Sequence, residues 1–247
     1  MKKLITAVLF VLVMAVPAMA KVDITLPPGF GQEQFKDLSR DIGLAISYAP
    51  LAPAEPLGGV LPHIDIGVEV TGVDIDTNQQ YWKDVQAVSG DKIPSMLPFP
   101  KLHVQVGLPV VPIDLGFVYS SVPSTNIKYM GGEIKYAILK GGVALPAIAI
   151  RGAYTKLSGV DDLDISTKSA DISISKGIAM FTPYAGYGIV WIDSKEKSNL
   201  VTLKDESLSE PKAFVGMKVT FFPLMNFVVE ADFSEVKAYS ARLNLHF

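Results

Sequence analysis

Ten times between Ile64 and Phe247 the chain alternates apolar and polar residues with a period of two. Successive side chains of an extended strand point to opposite faces, so this pattern predicts strands with one apolar and one polar face. The last is the cleanest: Tyr239, Ala241, Leu243, Leu245 and Phe247 share one face, and Ser240, Arg242, Asn244 and His246 the other. Ile64 to Val70 reads the same way, with Ile64, Ile66, Val68 and Val70 against Asp65, Gly67 and Glu69. The other segments are Lys101 to Leu108, Ile113 to Ser120, Gly132 to Ile138, Ile148 to Tyr154, Leu163 to Ile174, Pro183 to Trp191, Ala213 to Phe221 and Phe227 to Phe233. Leu163 to Ile174 is the poorest, with only Ile172 and Ile174 strongly apolar on their face.

Soluble barrels and sandwiches alternate too, so length and composition must discriminate. Several runs reach the ~9–11 residues that a tilted strand needs to cross a bilayer. Aromatic residues sit at both ends of the apolar faces: Phe227 and Phe233, Phe181 and Trp191, Tyr239 and Phe247. The polar faces are rich in Gly, Ser, Thr and charge, as a barrel lumen is. The chain is also apolar overall, with mean hydropathy +0.32 and 19% charged residues. Yet no apolar run beyond residue 20 approaches the ~18 residues of a spanning helix. Strands that show lipid only every second residue reconcile these facts. The expected fold is all-β: a transmembrane antiparallel up-and-down barrel of about ten strands, or twelve if Gly43 to Tyr48 and one more segment are recruited.

The other end of the chain reads as an export signal. Lys2 and Lys3 precede an apolar stretch from Leu4 to Val16, then Pro17 and Ala18-Met19-Ala20. A short apolar core followed by a small-x-small site predicts a signal peptide over residues 1–20. With this leader in front of it, the C-terminal strand resembles the closing strand of Gram-negative outer-membrane β-barrels. The resemblance implies a place in the bacterial outer membrane, in contact with its lipid. It also implies that Tyr239, Leu243, Leu245 and Phe247 form the assembly signal read by the barrel-assembly machinery. If Phe247 ends on the periplasmic side, residues 110–112, 140–142, 175–177 and 223–226 are periplasmic turns. Residues 75–98, 123–126, 159–162, 194–210 and 234–236 then lie outside, which puts both long connections there, as in such barrels.

Two regions stand apart from the strands. Within residues 75–98, Tyr81, Val85 and Val88 fall at helical spacing, so Gln79 to Val88 is expected to be a short external helix or a structured loop. Residues 21–59 precede the barrel at 60–247. There Phe35, Leu38 and Ile42 predict an amphipathic helix over Gln32 to Ile42, and the prolines and glycines of Pro50 to Gly59 predict an irregular connector. This segment is expected to start on the periplasmic side and either to stay there or to fold up into the lumen as a plug. Its layout resembles the N-terminal hatch of long-chain fatty-acid transporters of the outer membrane, though those barrels are much larger.

Candidate chemistry is confined to the lumen. Asp65, Glu69, Asp114, Glu133, Glu230 and Asp232 are expected to face Lys101, His103, Lys135, Arg151, Lys218 and Arg242 there, with Asp171 beside them. Mixed charge of this kind either lines a selective pore or stitches a closed interior, and a bore of about ten strands is narrow. The chain has no cysteine and three histidines, and neither G-x-S-x-G nor a converging nucleophile–base pair is visible, so no catalytic residue is assigned. Asp161, Asp162 and Asp164 cluster on a loop without calcium-loop spacing, so no metal or cofactor is expected. A formal charge of −3 without a basic block argues against a nucleic-acid partner. Two functions remain: a narrow channel or transporter for a small or amphipathic solute, or a non-conducting structural or surface-interaction barrel working through residues 75–98 and 194–210.

Overall fold

The computed structural model describes residues 24–89, 93–122, 125–222 and 224–247. The signal peptide expected over residues 1–20 lies outside the described residues. Among the described residues ten strands follow one another: β1 (His63–Asp74), β2 (Met96–Gly107), β3 (Ile113–Ser121), β4 (Lys128–Lys140), β5 (Ala147–Ser158), β6 (Leu163–Ser175), β7 (Phe181–Glu196), β8 (Glu206–Phe222), β9 (Met225–Phe233) and β10 (Lys237–His246). Each pairs antiparallel with the next, and β10 returns to β1 in the register Glu69↔Arg242, which closes the barrel. Closure leaves no strand edge unpaired, as a spanning sheet requires. The twelve-strand alternative does not hold. Gly43 to Ile46 complete the helix α1 (Gln32–Ile46), and no strand precedes β1 among the described residues.

The alternation in the sequence becomes an apolar outside and a polar inside. Ile64, Ile66, Leu102, Leu115, Phe117, Ile134, Ile150, Val215 and Val229 are exposed, whereas Asp65, Glu69, His103, Glu133 and Arg151 are buried. A continuous exposed apolar surface on this scale is a lipid-facing belt. Tyr119, Tyr154, Trp191, Phe233 and Tyr239 are exposed at one end of it, and Tyr136, Phe181, Phe222 and Phe247 at the other. These are the two aromatic girdles of a transmembrane β-barrel.

The ends of the barrel differ. The short connections β2–β3, β4–β5, β6–β7 and β8–β9 lie at the end where β1 starts and β10 finishes, here the turn end. The opposite loop end carries the connections β1–β2, β3–β4, β5–β6, β7–β8 and β9–β10. The connection expected over 194–210 is shorter than its sequence implied, because β7 and β8 stay in register as far as Ser194↔Glu206. The one expected over 75–98 gives way to β2 at Met96 and holds α2 (Gln80–Ser89). Strands β6 to β8 therefore project past the belt, where outward Lys168 and Asp193 pair at 3.1 Å. That projection explains the weak alternation of Leu163 to Ile174: outward Lys168 is level with the girdle residues Tyr154 and Trp191, and outward Asp164 and Ser166 stand beyond it.

Residues 24–59 run through the barrel from the loop end to the turn end. The Leu26 N–H donates to Asp162 Oδ2 (2.9 Å) in the β5–β6 loop. Helix α1 then lies in the mouth, its N-terminus held by the Gly31 N–H donating to Gln34 Oε1 (2.9 Å). Its stripe of Phe35, Leu38 and Ile42 is buried against an apolar ring that includes Val73, Leu157, Leu163, Ile165, Val190 and Ile192. Gly43 lets the helix backbone approach β7, since a Cβ there would strike the Ile192 side chain. The chain descends as residues 47–57 and leaves at the turn end, where Gly58 crosses the backbone of Gly107 too closely for any side chain at either position. The Val110 N–H donates to Gly59 O (2.8 Å) and anchors that crossing. The expected direction of the plug is thus reversed: the described segment starts at the loop mouth. The reason is the apolar ring, a set of inward apolar residues at the loop ends of the strands against which α1 packs.

Candidate functional site: a plugged lumen

Asp41 to Ala54 are all buried inside the barrel. Inward side chains from most of the strands seize the backbone of this segment. The Leu51 N–H donates to Glu230 Oε2 (2.9 Å), and Arg242 Nη2 donates to Leu51 O (2.7 Å). Lys135 Nζ donates to Pro53 O and Glu55 O (2.9 Å each), and Lys212 Nζ to Tyr48 O (2.8 Å). Asp114 accepts from the Leu57 N–H at 2.9 and 3.1 Å, and Ser175 from the Glu55 N–H at 3.2 Å. An irregular segment in a membrane-spanning barrel lacks bulk water to satisfy its peptide groups, so the lumen side chains do it.

The charges also pair with one another. Glu69 takes Lys101 Nζ at 2.6 Å on one oxygen and His103 Nδ1 at 2.9 Å on the other. His103 Nε2 in turn lies 2.9 Å from the Tyr48 hydroxyl of the plug. Asp114 pairs with Lys135 (2.8 Å), Glu133 with Arg151 (2.9 Å), Asp65 with His246 (2.5 Å), and Lys218 with Glu55 (2.6 Å). Asp232 stands 3.8 Å from Lys212, and the Tyr184 hydroxyl donates to Glu230 (2.7 Å). The expected lumen residues thus gather around the plug, all buried except Lys218, which meets Glu55 at the turn end, and Asp171, which is half-buried. Glu69, His103 and Tyr48 form a relay in outline, but all three are sealed from solvent. What this arrangement does chemically is hold a chain.

Leu51 is the apolar anchor of the plug. It packs with Ala49 against inward Tyr184, Phe214 and Val228. Tyr184 lies over Gly216 and Phe214 over Gly186, each ring filling the space above a glycine of the neighbouring strand. Leu51 also sits at φ 42°, in the left-handed region that leucine enters only under constraint. Tyr48, Leu51, Glu55 and Tyr184 were not singled out from the sequence. The one available signal was Tyr184 and Phe214 on faces otherwise Gly-rich and polar.

At the mouth, Asp41 clasps the two helices together. Its Oδ2 accepts from Trp82 Nε1 (2.7 Å) and from the Tyr81 hydroxyl (2.9 Å) of α2. Gln34 adds a donation to Asp84 (2.6 Å), and Arg40 pairs with Glu210 of β8 at 2.9 Å. Burial pushes the Asp41 carboxyl above its usual range, against the opposing pull of its hydrogen bonds to Trp82 and Tyr81. The folded state thus holds the Asp41 proton more tightly than the unfolded chain. Its contribution to stability is largest at low pH and declines as pH rises through the elevated value. Asp41→Asn is expected to flatten that slope and keep stability near wild type, since an amide oxygen still accepts. Asp41→Ala strands two donors and is expected to cost about 2–4 kcal/mol. Urea titrations between pH 4 and 8 check both. The acidic loop has structural partners too: beyond Asp162, Asp164 pairs with Lys197 at 2.9 Å.

No protein-family model matches the chain, and no curated protein matches it in sequence. Among solved structures, it is similar to the N-terminal β-barrel domain of Pseudomonas aeruginosa OprF, at 11% identity over 74% of this chain and 97% of that one, with a TM-score of 0.36. The KdgM porin gives 9% identity, coverage of 74% and 99%, and a TM-score of 0.36. Ail, the attachment invasion locus protein of Yersinia pestis, gives 12% identity, coverage of 75% and 97%, and a TM-score of 0.32. Likenesses this distant carry nothing about function. The class rests on the chain's own geometry: it is an outer-membrane-type β-barrel, ten-stranded, closed, and occupied along its lumen by its own N-terminal segment.

Proposed function

We propose that this protein resides in the bacterial outer membrane as a sealed barrel that conducts only when its N-terminal segment is displaced. The observation that supports this is the number of lumen side chains bound to the backbone of residues 47–57, together with the apolar cluster around α1 at the mouth. Because most of those bonds go to peptide groups, the plug is held without a demanding sequence. The barrel's own pairs, Glu69–Lys101, Asp114–Lys135 and Glu133–Arg151, do not need it. A displaced plug would leave a narrow, charged, solvated bore, the conduit of a channel for a small polar or amphipathic solute. The competing reading is a permanently sealed barrel acting through its loop end, where α2 and the β7–β8 hairpin project.

The chain has no cysteine, so single cysteines report on location. Whole cells treated with a membrane-impermeant maleimide are expected to label Leu200→Cys at the loop end. Val143→Cys at the turn end should react only after the cells are opened. Ala54→Cys, at a position 0% exposed, should react in neither case. Labelling of residue 143 in intact cells would reverse the orientation, and labelling of residue 54 would mean that the lumen is open. The proposed assembly signal of Tyr239, Leu243, Leu245 and Phe247 is tested in the same cells, where Phe247→Ala should lower the assembled fraction several-fold.

A further inference from the structure

We infer that Glu230 and Arg242 form a two-position latch: the seated plug holds them apart through Leu51, and once it is displaced they pair with each other across β9 and β10. The two are inward-facing diagonal neighbours, since Arg242 stands opposite Val228 and Glu230 opposite Ser240. Diagonal side chains on adjacent strands start roughly 7 Å apart, a gap that an arginine and a glutamate can close.

In the plugged barrel they do not close it. Both are buried, Glu230 at 4% and Arg242 at 2% exposed, yet among the described residues neither forms an ion pair. Each takes one peptide group of the same residue instead. Glu230 Oε2 accepts the Leu51 N–H (2.9 Å), and Arg242 Nη2 donates to Leu51 O (2.7 Å). Glu230 Oε1 and Arg242 Nε and Nη1 have no hydrogen-bond partner. The other cations near Glu230 are committed elsewhere: Lys212 to Asp232 and Tyr48 O, and Arg151 to Glu133. Asp232, two residues along the same face, adds like charge. Burying a carboxylate and a guanidinium that stop short of each other is costly, and direct pairing recovers part of that cost. Displacing Leu51 frees the atoms that pairing needs, Oε2 and one N–H of Nη2. Tyr184 still holds the one side chain and Gln105 the other. The plug and the ion pair are thus alternative partners for the same two groups, which makes opening a switch between two discrete arrangements.

The latch rests on the plugged reading, and protection of the Ala54→Cys thiol tests that reading separately. The latch itself is measured by a double-mutant cycle in the full chain carrying Leu51→Gly, which removes the apolar anchor and keeps both peptide groups. The readout is the open fraction in planar-bilayer recordings, with thiol reactivity at residue 54 in parallel. Glu230→Gln still accepts the Leu51 N–H but cannot form the ion pair, so the open fraction should fall at least tenfold. With Arg242→Gln already present, the same change should have an effect at least threefold smaller. Equal effects in the two backgrounds overturn the latch and leave the plug standing. An unchanged or larger open fraction in Glu230→Gln alone overturns it as well. Free reaction of residue 54 with Leu51 intact would overturn the plugged reading and the latch with it.

Discussion

Leu51→Asp is expected to turn a silent barrel into a conducting one. The wild-type side chain is fully buried against Tyr184, Phe214 and Val228, and its loss alone costs about 2–5 kcal/mol. Aspartate also brings a second carboxylate beside Glu230, which already accepts the residue's own N–H at 2.9 Å. The cation nearest to compensate it is Arg242, which is held by Leu51 O and Gln105. Removing an apolar anchor and adding a buried charge act in the same direction, so the plug is expected to leave while the barrel stays closed. Single-channel recording should show stable steps absent from wild type, and a thiol introduced by Ala54→Cys in the same chain should become reactive. Leu51→Gly is the informative control: it keeps the peptide donor and relieves the φ of 42°, offsetting part of the lost packing. It should open the barrel only intermittently.

The second large effect is on the outside. Ile134 is 53% exposed, in the middle of β4, flanked in sequence by buried Glu133 and Lys135. If the outer face meets lipid, Ile134→Lys places an ammonium near the bilayer midplane and costs about 2–4 kcal/mol. In a soluble barrel the same change would be almost free. Ser209→Lys supplies the contrast, because Ser209 faces outward beside Trp191, at the aromatic girdle and away from the bilayer middle. There the expected change lies within ~0.5 kcal/mol. Denaturant unfolding in lipid vesicles measures both variants against wild type. Equal effects at the two positions would argue against a lipid belt.

The barrel was legible because its rule is local. A period of two is written into each strand, and closure follows once ten such strands occur with short turns between them. The inward charges were legible for the same reason, since Asp65, Glu69 and Arg242 occupy alternate positions on strands whose other face is apolar. The plug was only half legible. The stripe Phe35, Leu38, Ile42 announced a helix but not what it packs against. Its partner is a ring assembled from the ends of several strands, residues such as Val73, Ile165 and Val190, each of which alone looks like a minor lapse in alternation. Direction was lost with it. Nothing local tells a segment of prolines, alanines and glycines whether it climbs or descends, because its bonds run from its peptide groups to side chains far along the chain, such as Glu230 and Arg242. The long β7–β8 projection was missed for a simpler reason: strand outside the membrane loses its apolar face and reads as loop.

The most direct test of the plugged state is single-channel conductance of the intact wild-type protein in a planar bilayer, paired with Leu51→Asp under the same conditions. Wild type should insert and pass no steady current, while the variant should conduct in discrete, ion-selective steps. Steady current through an otherwise wild-type barrel whose Ala54→Cys thiol remains inaccessible to reagents would contradict a lumen closed by this segment.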